Sequence, residues 1–224
     1  MFDVSHMGQL RIWGDKRTEF IESLVPGDIA GLQPNQARLS VLTNEQGGII
    51  DDCMVTAKAD HLYMVVNGAC KDKDIAHLQQ HLQQFNQQHG TAITIEYFSA
   101  QWELLAFQGP QAAAVLQRLV PSSVELSKLP FMFSANIDVA GVQCVVSRCG
   151  YTGEDGFEMA VPANQTKKVF HALLSEKVSS AYAVEGKGRR GNCQRVGKLP
   201  PAAVSLLSEM PQPHRTTPAC RRLH

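Results

Sequence analysis

Three glycines within seven positions, Gly150, Gly153 and Gly156, separate two β-like runs and restrict the chain's folds more sharply than any other segment. The first run is Gln143-Cys144-Val145-Val146-Ser147-Arg148, and the second is Phe157-Glu158-Met159-Ala160-Val161. Glycine lets the backbone turn where a Cβ would clash, so Cys149 to Glu158 reads as a tight loop handing one strand to the next. Three carboxylates, Glu154, Asp155 and Glu158, are packed among these turns, flanked by Tyr151 and Phe157. Taken alone, such a loop is a solvated acidic turn. Its function depends on the segments it is folded against.

The rest of the first 176 residues alternates short apolar runs with amphipathic ones, which predicts a mixed α/β (α+β) fold. Gln9 to Trp13, Arg38 to Thr43, Ala92 to Tyr97 and Glu103 to Phe107 read as strands. Cys53 to Thr56 and His61 to Val66, joined by a short polar turn, read as a hairpin. Lys71 to Gln88 is the clearest helix, with Ile75, Leu78, Leu82 and Phe85 recurring at three and four. Asp72 and Asp74 stand at its positive end, and Gly90 follows its last turn. Shorter helices are expected over Thr18 to Val25, stopped by Pro26-Gly27, and from Pro110 to about Leu119. A final helix is expected through Leu174, capped by Asn164.

No apolar run approaches the length of about eighteen residues that a membrane span needs, and the start carries neither a signal-peptide core nor an Arg-rich presequence. The six cysteines show no CxxC pair or disulfide-framework spacing, and the eight histidines include no HExxH motif, so metal and redox chemistry are not expected. Net charge is zero but unevenly distributed. Residues 1–176 carry 12 basic and 19 acidic side chains; residues 177–224 carry 9 and 2. A basic tail on an acidic body can signal nucleic acid or an anionic membrane. This tail lacks interleaved aromatics and any nucleic-acid motif, so neither partner is expected. Its prolines and glycines would break any long helix or inner strand, and its one apolar patch, Ala202 to Leu207, is too small to offset ordering entropy; disorder is expected. Lys177-Val178-Ser179 is compatible with splice-donor codons, so the stretch from about Val178 is expected to derive from intron or an alternative exon.

Two further segments accompany the glycine-rich loop: Met1-Phe2-Asp3-Val4-Ser5-His6-Met7, and Leu42 to Asp52 with Gly47-Gly48 before Asp51-Asp52. Together with Tyr151 to Glu158, Leu105 to Pro110 and Lys128 to Met132, they resemble the aminomethyltransferase family, the T-protein of the glycine cleavage system. The resemblance runs nearly unbroken from Met1 to about Glu176. It implies the family's folate-binding fold over residues 1–176, arranged as two intertwined subdomains and lacking the family's C-terminal barrel. It also implies a start inside the family's first motif and a non-homologous tail over 177–224. The loop Arg148 to Asp155 fits the T-protein better than the Lys-Gly-Cys-Tyr-like motif of related iron–sulfur assembly factors. The flavin-linked sister dehydrogenases would require a preceding flavin domain, whereas the GxGxxG of this chain, Gly186 to Gly191, stands in the tail after the matched region.

The family's reaction passes an aminomethyl group from the lipoyl arm of a carrier protein, the H-protein, to tetrahydrofolate with release of ammonia. Such a site must hold a flat pterin, adjust a folate nitrogen's protonation and stabilise iminium character, tasks suited to a partly buried carboxylate. Along a strand Asp51 and Asp52 point opposite ways, and the resemblance assigns the folate-facing, catalytic role to Asp52, leaving Asp51 structural. It further implies a folate pocket lined by Met7, Leu39, Val65, Asn67, Tyr151 and Glu158. Met7 would lie on the pterin and Glu158 would accept hydrogen bonds from its amino and ring nitrogens. His6 is expected to be packed, and Glu154 and Asp155 to face solvent. The family's role implies a mitochondrial or bacterial cytoplasmic setting, and the splice-donor match favours mitochondria. Because the family's Ala-Arg-Asp-Ser-Leu-Arg-like stretch is missing here, a non-catalytic folate- or carrier-binding module stands as the alternative to an active transferase.

Overall fold

The computed structural model describes Met1 to Glu176; the basic tail and its expected disorder lie outside the described residues. Two five-stranded sheets, paired antiparallel throughout, form between outer helices. The first sheet runs β3 (Ala37–Thr43), β4 (Ile49–Ala57), β5 (His61–Val66), β2 (Gly8–Trp13) and β6 (Thr94–Tyr97). The second runs β1 (Phe2–Asp3), β7 (Trp102–Gln108), β10 (Gly156–Pro162), β9 (Gln143–Ser147) and β8 (Ser134–Asp138). This is the α+β arrangement that the alternating pattern predicts.

Each sheet buries its outer face under helices. On the first, Leu10, Ile12, Val55, Leu62, Met64 and Val66 pack with Phe20 and Ile21 of α1 (Arg17–Glu22) and Leu78 of α2 (Lys71–His89). On the second, Leu105, Val146, Phe157, Met159 and Val161 pack with Leu116 of α3 (Ala112–Gln117) and Val169 and Leu173 of α4 (Thr166–Ser175). The alternate residues of both sheets meet in a third cluster, where Val4, Leu104, Ala106 and Ala160 lie against Val65, with Met7, Met54 and Tyr63 at its margin. Period-two alternation is thus used twice over, outward to helices and inward to the facing sheet.

Several boundaries differ from the sequence reading. The longest helix forms almost as expected, and Gly90 closes it in the left-handed conformation (φ 60°), donating its N–H to the Asn86 carbonyl. Asn164 does not cap α4: the helix begins at Thr166, preceded by a turn in which the Gln165 N–H bonds the Pro162 carbonyl. Helix α3 is shorter than expected, because Gly109 at φ 129° and the Ala112 N–H to Gly109 carbonyl bond hold the Pro110 region as a turn. Strand β8 was not anticipated. It pairs with β9 through a two-residue reversal at Ala140-Gly141, both at positive φ, a turn usually signalled by Asn-Gly.

The glycine-rich loop is locked by two polar side chains rather than by glycine freedom alone. Gln108 donates from Nε2 to the carbonyls of Cys149 (2.8 Å) and Phe157 (3.2 Å). A Cβ at Gly150 or Gly156 would collide with that amide, so these two glycines allow close approach. Gly153 serves conformation instead, with φ 77° and open space around it. Arg148 forms a two-pronged pair with Asp155 (2.9 and 2.8 Å) while donating to the carbonyls of Leu126 (3.2 Å) and Leu129 (2.9 Å). Asp155, expected in solvent, is therefore half-buried and paired; Glu154 is exposed.

Two measurements follow from this loop. In urea unfolding, Gly156→Ala should cost about 1–3 kcal/mol through displacement of the Gln108 amide. Gly153→Ala should cost about 1 kcal/mol, from backbone conformation alone. The Arg148 guanidinium holds the Asp155 carboxyl below the usual carboxylate range, so the pair's stability is present above the unfolded value and lost as pH falls through the lower folded one. Asp155→Asn should therefore lower the melting temperature at about pH 7, with the deficit shrinking as pH approaches about 3.

Candidate functional site

Strand register gathers five of the seven candidate residues on one face. Leu39 pairs with Met54, Met54 with Val65, and Val65 with Gln9, forming a row across the first sheet. Two residues along each strand, alternation puts Val41, Asp52, Asn67 and Met7 on the same face, with Val41 opposite Asp52 in the β3–β4 pairing. This is the face turned toward the second sheet. Asp51, one residue out of phase, belongs to the opposite face with Cys53, the side covered by α2.

Asn67 ties the two aspartates together. Its Nδ2 donates to Asp52 Oδ1 at 2.7 Å, to the Asp52 carbonyl at 3.3 Å and to Asp51 Oδ2 at 3.2 Å. Val65 is buried, Met7, Asp52 and Asn67 are half-buried, and Leu39 on the sheet's edge strand is 49% exposed. Leu39 thus stands at the rim. His6, expected to be packed, is exposed, with its ring edge against Gly68.

Across the interlayer, Glu158 projects from β10, in register with Ala106 and Ser147. Burial pushes its carboxyl up, and a hydrogen bond from the Cys149 thiol opposes that shift. Burial, then the Glu158 carboxylate, push the Cys149 thiol up, which marks it as a donor rather than a nucleophile. Tyr151 is 65% exposed overall, yet its hydroxyl end lies against protein. Burial there, then the charges of Asp52 and Glu158, push the phenol up, so one hydroxyl senses carboxylates from both sheets.

The polar spine of this layer escaped the sequence reading. Gln9, fully buried, accepts from the Tyr63 hydroxyl at 2.9 Å and donates to the Trp102 carbonyl at 2.8 Å, bridging one sheet to the other. The alternation Gln9-Leu10-Arg11-Ile12 marks the glutamine as facing solvent, so only the tertiary pairing exposes its role. Asp74 was read as a helix-terminal charge; it is completely buried under β4.

Two cavities open between the sheets. One of about 20 Å³ is lined by Met54, Tyr63, Val65, Leu104, Cys149 and Glu158, among others. The other, about 480 Å³, lies toward Arg11, Lys58, His61 and Trp102 and touches none of the seven candidate residues. Its basic side chains are already engaged: Arg11 with Glu96 at 3.6 Å, His61 with Asp60 at 2.6 Å, and Lys58 with Asn35 and Ser134. The smaller cavity is the better candidate despite its size, because Glu158 lines it beside two of the residues on the Asp52 face. Among the described residues, no group of three or more His, Cys, Asp or Glu side chains could hold a metal ion, and no helix is long and apolar enough to cross a membrane.

Comparisons with known proteins agree with this architecture. Residues 1–188 match the model of the GCVT N-terminal domain family. The mitochondrial aminomethyltransferase of Mus musculus is 50% identical over 176 residues, covering 78% of this chain and 42% of its own length. That of Dictyostelium discoideum is 42% identical over 193 residues, covering 85% and 48%. The crystal structure of glycine cleavage system aminomethyltransferase T from Bartonella henselae superposes with a TM-score of 0.65 at 33% identity, over 78% of this chain and 45% of that one. The heterotetrameric sarcosine oxidase of Corynebacterium sp. U-96, at 19% identity and a TM-score of 0.53, shares the fold. The chain spans about half the length of the curated relatives it matches. With residues 1–188 matched, the chain belongs to the GCVT N-terminal domain family.

Proposed function

We propose that residues 1–176 form the folate-facing part of an aminomethyltransferase of the glycine cleavage system, transferring the one-carbon unit from the aminomethyl-lipoyl carrier protein to tetrahydrofolate with release of ammonia. The observation that carries this reading is the opposition of Asp52 with Asn67 on one sheet to Glu158 on the other, with the Tyr151 hydroxyl in the field of both carboxylates. Met54, Val65 and Leu104 supply apolar contact for a flat ring between them. Glu158 would accept hydrogen bonds from the pterin's amino and ring N–H groups, and Met7 would lie on the ring. Leu39 and Tyr151 would form the rim. Asp52, held by Asn67, would face the folate nitrogens, moving a proton and stabilising the iminium carbon as ammonia leaves.

The relatives are named aminomethyltransferases of mitochondria, which supports a mitochondrial setting and the lipoylated H-protein as carrier partner. A non-catalytic folate- or carrier-binding module is the second reading: the open volume around Glu158, about 20 Å³, has room for about one water, so a ring could lodge at the Leu39–Tyr151 rim without reaching Asp52.

Calorimetry with tetrahydrofolate separates the two. Saturable binding is expected, weakened about tenfold or more by Glu158→Gln through loss of charge-assisted hydrogen bonds. Asp52→Asn should leave binding within about threefold while lowering turnover with the aminomethyl-lipoyl carrier by about a hundredfold. Binding without turnover in the unaltered chain would establish the module instead. Absence of saturable binding in a folded sample would overturn the folate reading.

A further inference from the structure

Asp74, in the first turn of α2, is the most completely buried charged side chain among the described residues, at 0% exposure, and neither of its carboxyl oxygens meets a hydrogen-bond donor. A carboxylate left this way carries a desolvation cost of several kcal/mol that no hydrogen bond offsets. The group that faces it is another acid: Asp51 of β4, within hydrogen-bonding reach. Two ionised carboxylates cannot bond each other, whereas one proton between them satisfies both.

The surrounding charges favour that proton. Asp52 adds a third negative group from β4. Lys73 on the same helix pulls the other way, although its ammonium is engaged in donating to the Ile50 carbonyl at 2.9 Å. Cys53 and Cys70 face the cluster as thiols whose pKa values burial raises, so neither brings positive charge. The positive end of α2 favours the anion, but desolvation and the Asp51 carboxylate push the Asp74 carboxyl up to about 7.

We infer that Asp74 is a positioning residue: a buried, neutral carboxyl that donates its proton to Asp51 and thereby holds Asp51, Asn67 and Asp52 in one fixed chain of hydrogen bonds. Asp51 Oδ2 accepts from Asn67, and the same Asn67 nitrogen holds Asp52 Oδ1, so the Asp74 proton anchors the far end of the network that orients Asp52. Its relevance to folate rests on the function proposed above; its protonation does not.

The melting temperatures of the full chain and of Asp74→Asn, at about pH 5 and about pH 8.5, test the proton directly. Asparagine keeps a donor toward Asp51 and cannot ionise. Because the folded pKa lies above the unfolded one, wild-type stability from the protonated group is present below about 4 and lost as pH rises through about 7. The variant's advantage over the wild type should therefore grow by about 3 °C or more between about pH 5 and about pH 8.5. A helix-terminal anion would give the opposite sign, with Asp74→Asn the less stable protein at the higher pH. That result, or a difference independent of pH, would overturn the inference. Tetrahydrofolate binding supplies the second readout: wild-type affinity should weaken about threefold or more between the two pH values, and Asp74→Asn should flatten that profile while Asp74→Leu weakens binding at both. Absence of binding in every protein would count against the folate function alone, since the melting comparison decides the proton without it.

Discussion

The described structure depends on a surface that must serve as interior and, in the proposed function, as binding site together. Each sheet covers its outer face with helices, and the inner faces have only each other. Apolar contact between Val65 and the trio Leu104, Ala106 and Ala160 holds the sheets together at the centre of that layer. The polar groups it encloses need partners, because an unpaired buried amide or hydroxyl costs more than a bond returns. Gln9 meets this demand for the layer as a whole, accepting from Tyr63 and donating to the Trp102 carbonyl across the gap.

Carboxylates in and beside this layer differ by environment rather than by type. Asp155 is drawn down by a two-pronged arginine, Glu158 is raised by burial, and Asp74 is raised by burial and by another acid. Their positions follow from backbone devices. The Gln108 amide occupies the space that side chains at Gly150 and Gly156 would take, and Arg148 ties the loop to the Leu126–Leu129 backbone. A rigid loop is what allows Tyr151 to reach over the cleft from an exposed position.

Much of this was legible in the residues. The period of Ile75, Leu78, Leu82 and Phe85 specifies the long helix, and Gly90 ends it, because amphipathic spacing and a left-handed cap act locally. Strands β2 to β5 and β7 carry enough apolar alternation to be read directly. Strand β8 is not readable in the same way: its turn is Ala140-Gly141, and its pairing with β9 rather than its own composition makes it a strand. Asn164 has the right chemistry for a cap, but the turn closed by Pro162 and Gln165 sets the helix start beyond it.

By itself the amino-acid order determined the α+β class, the tight loop between β9 and β10, and the candidate set from Met7 to Glu158, since propensity, alternation and motif resemblance all act along the chain. Tertiary structure decided what those residues meet. Register put Leu39, Asp52, Val65 and Asn67 on one face, and sheet stacking brought Glu158 opposite. The closure of α2 over β4 turned Asp74 from a helix-end charge into a buried acid beside Asp51. Burial and the field of distant charges are sums over neighbours remote in sequence, so no local pattern encodes them.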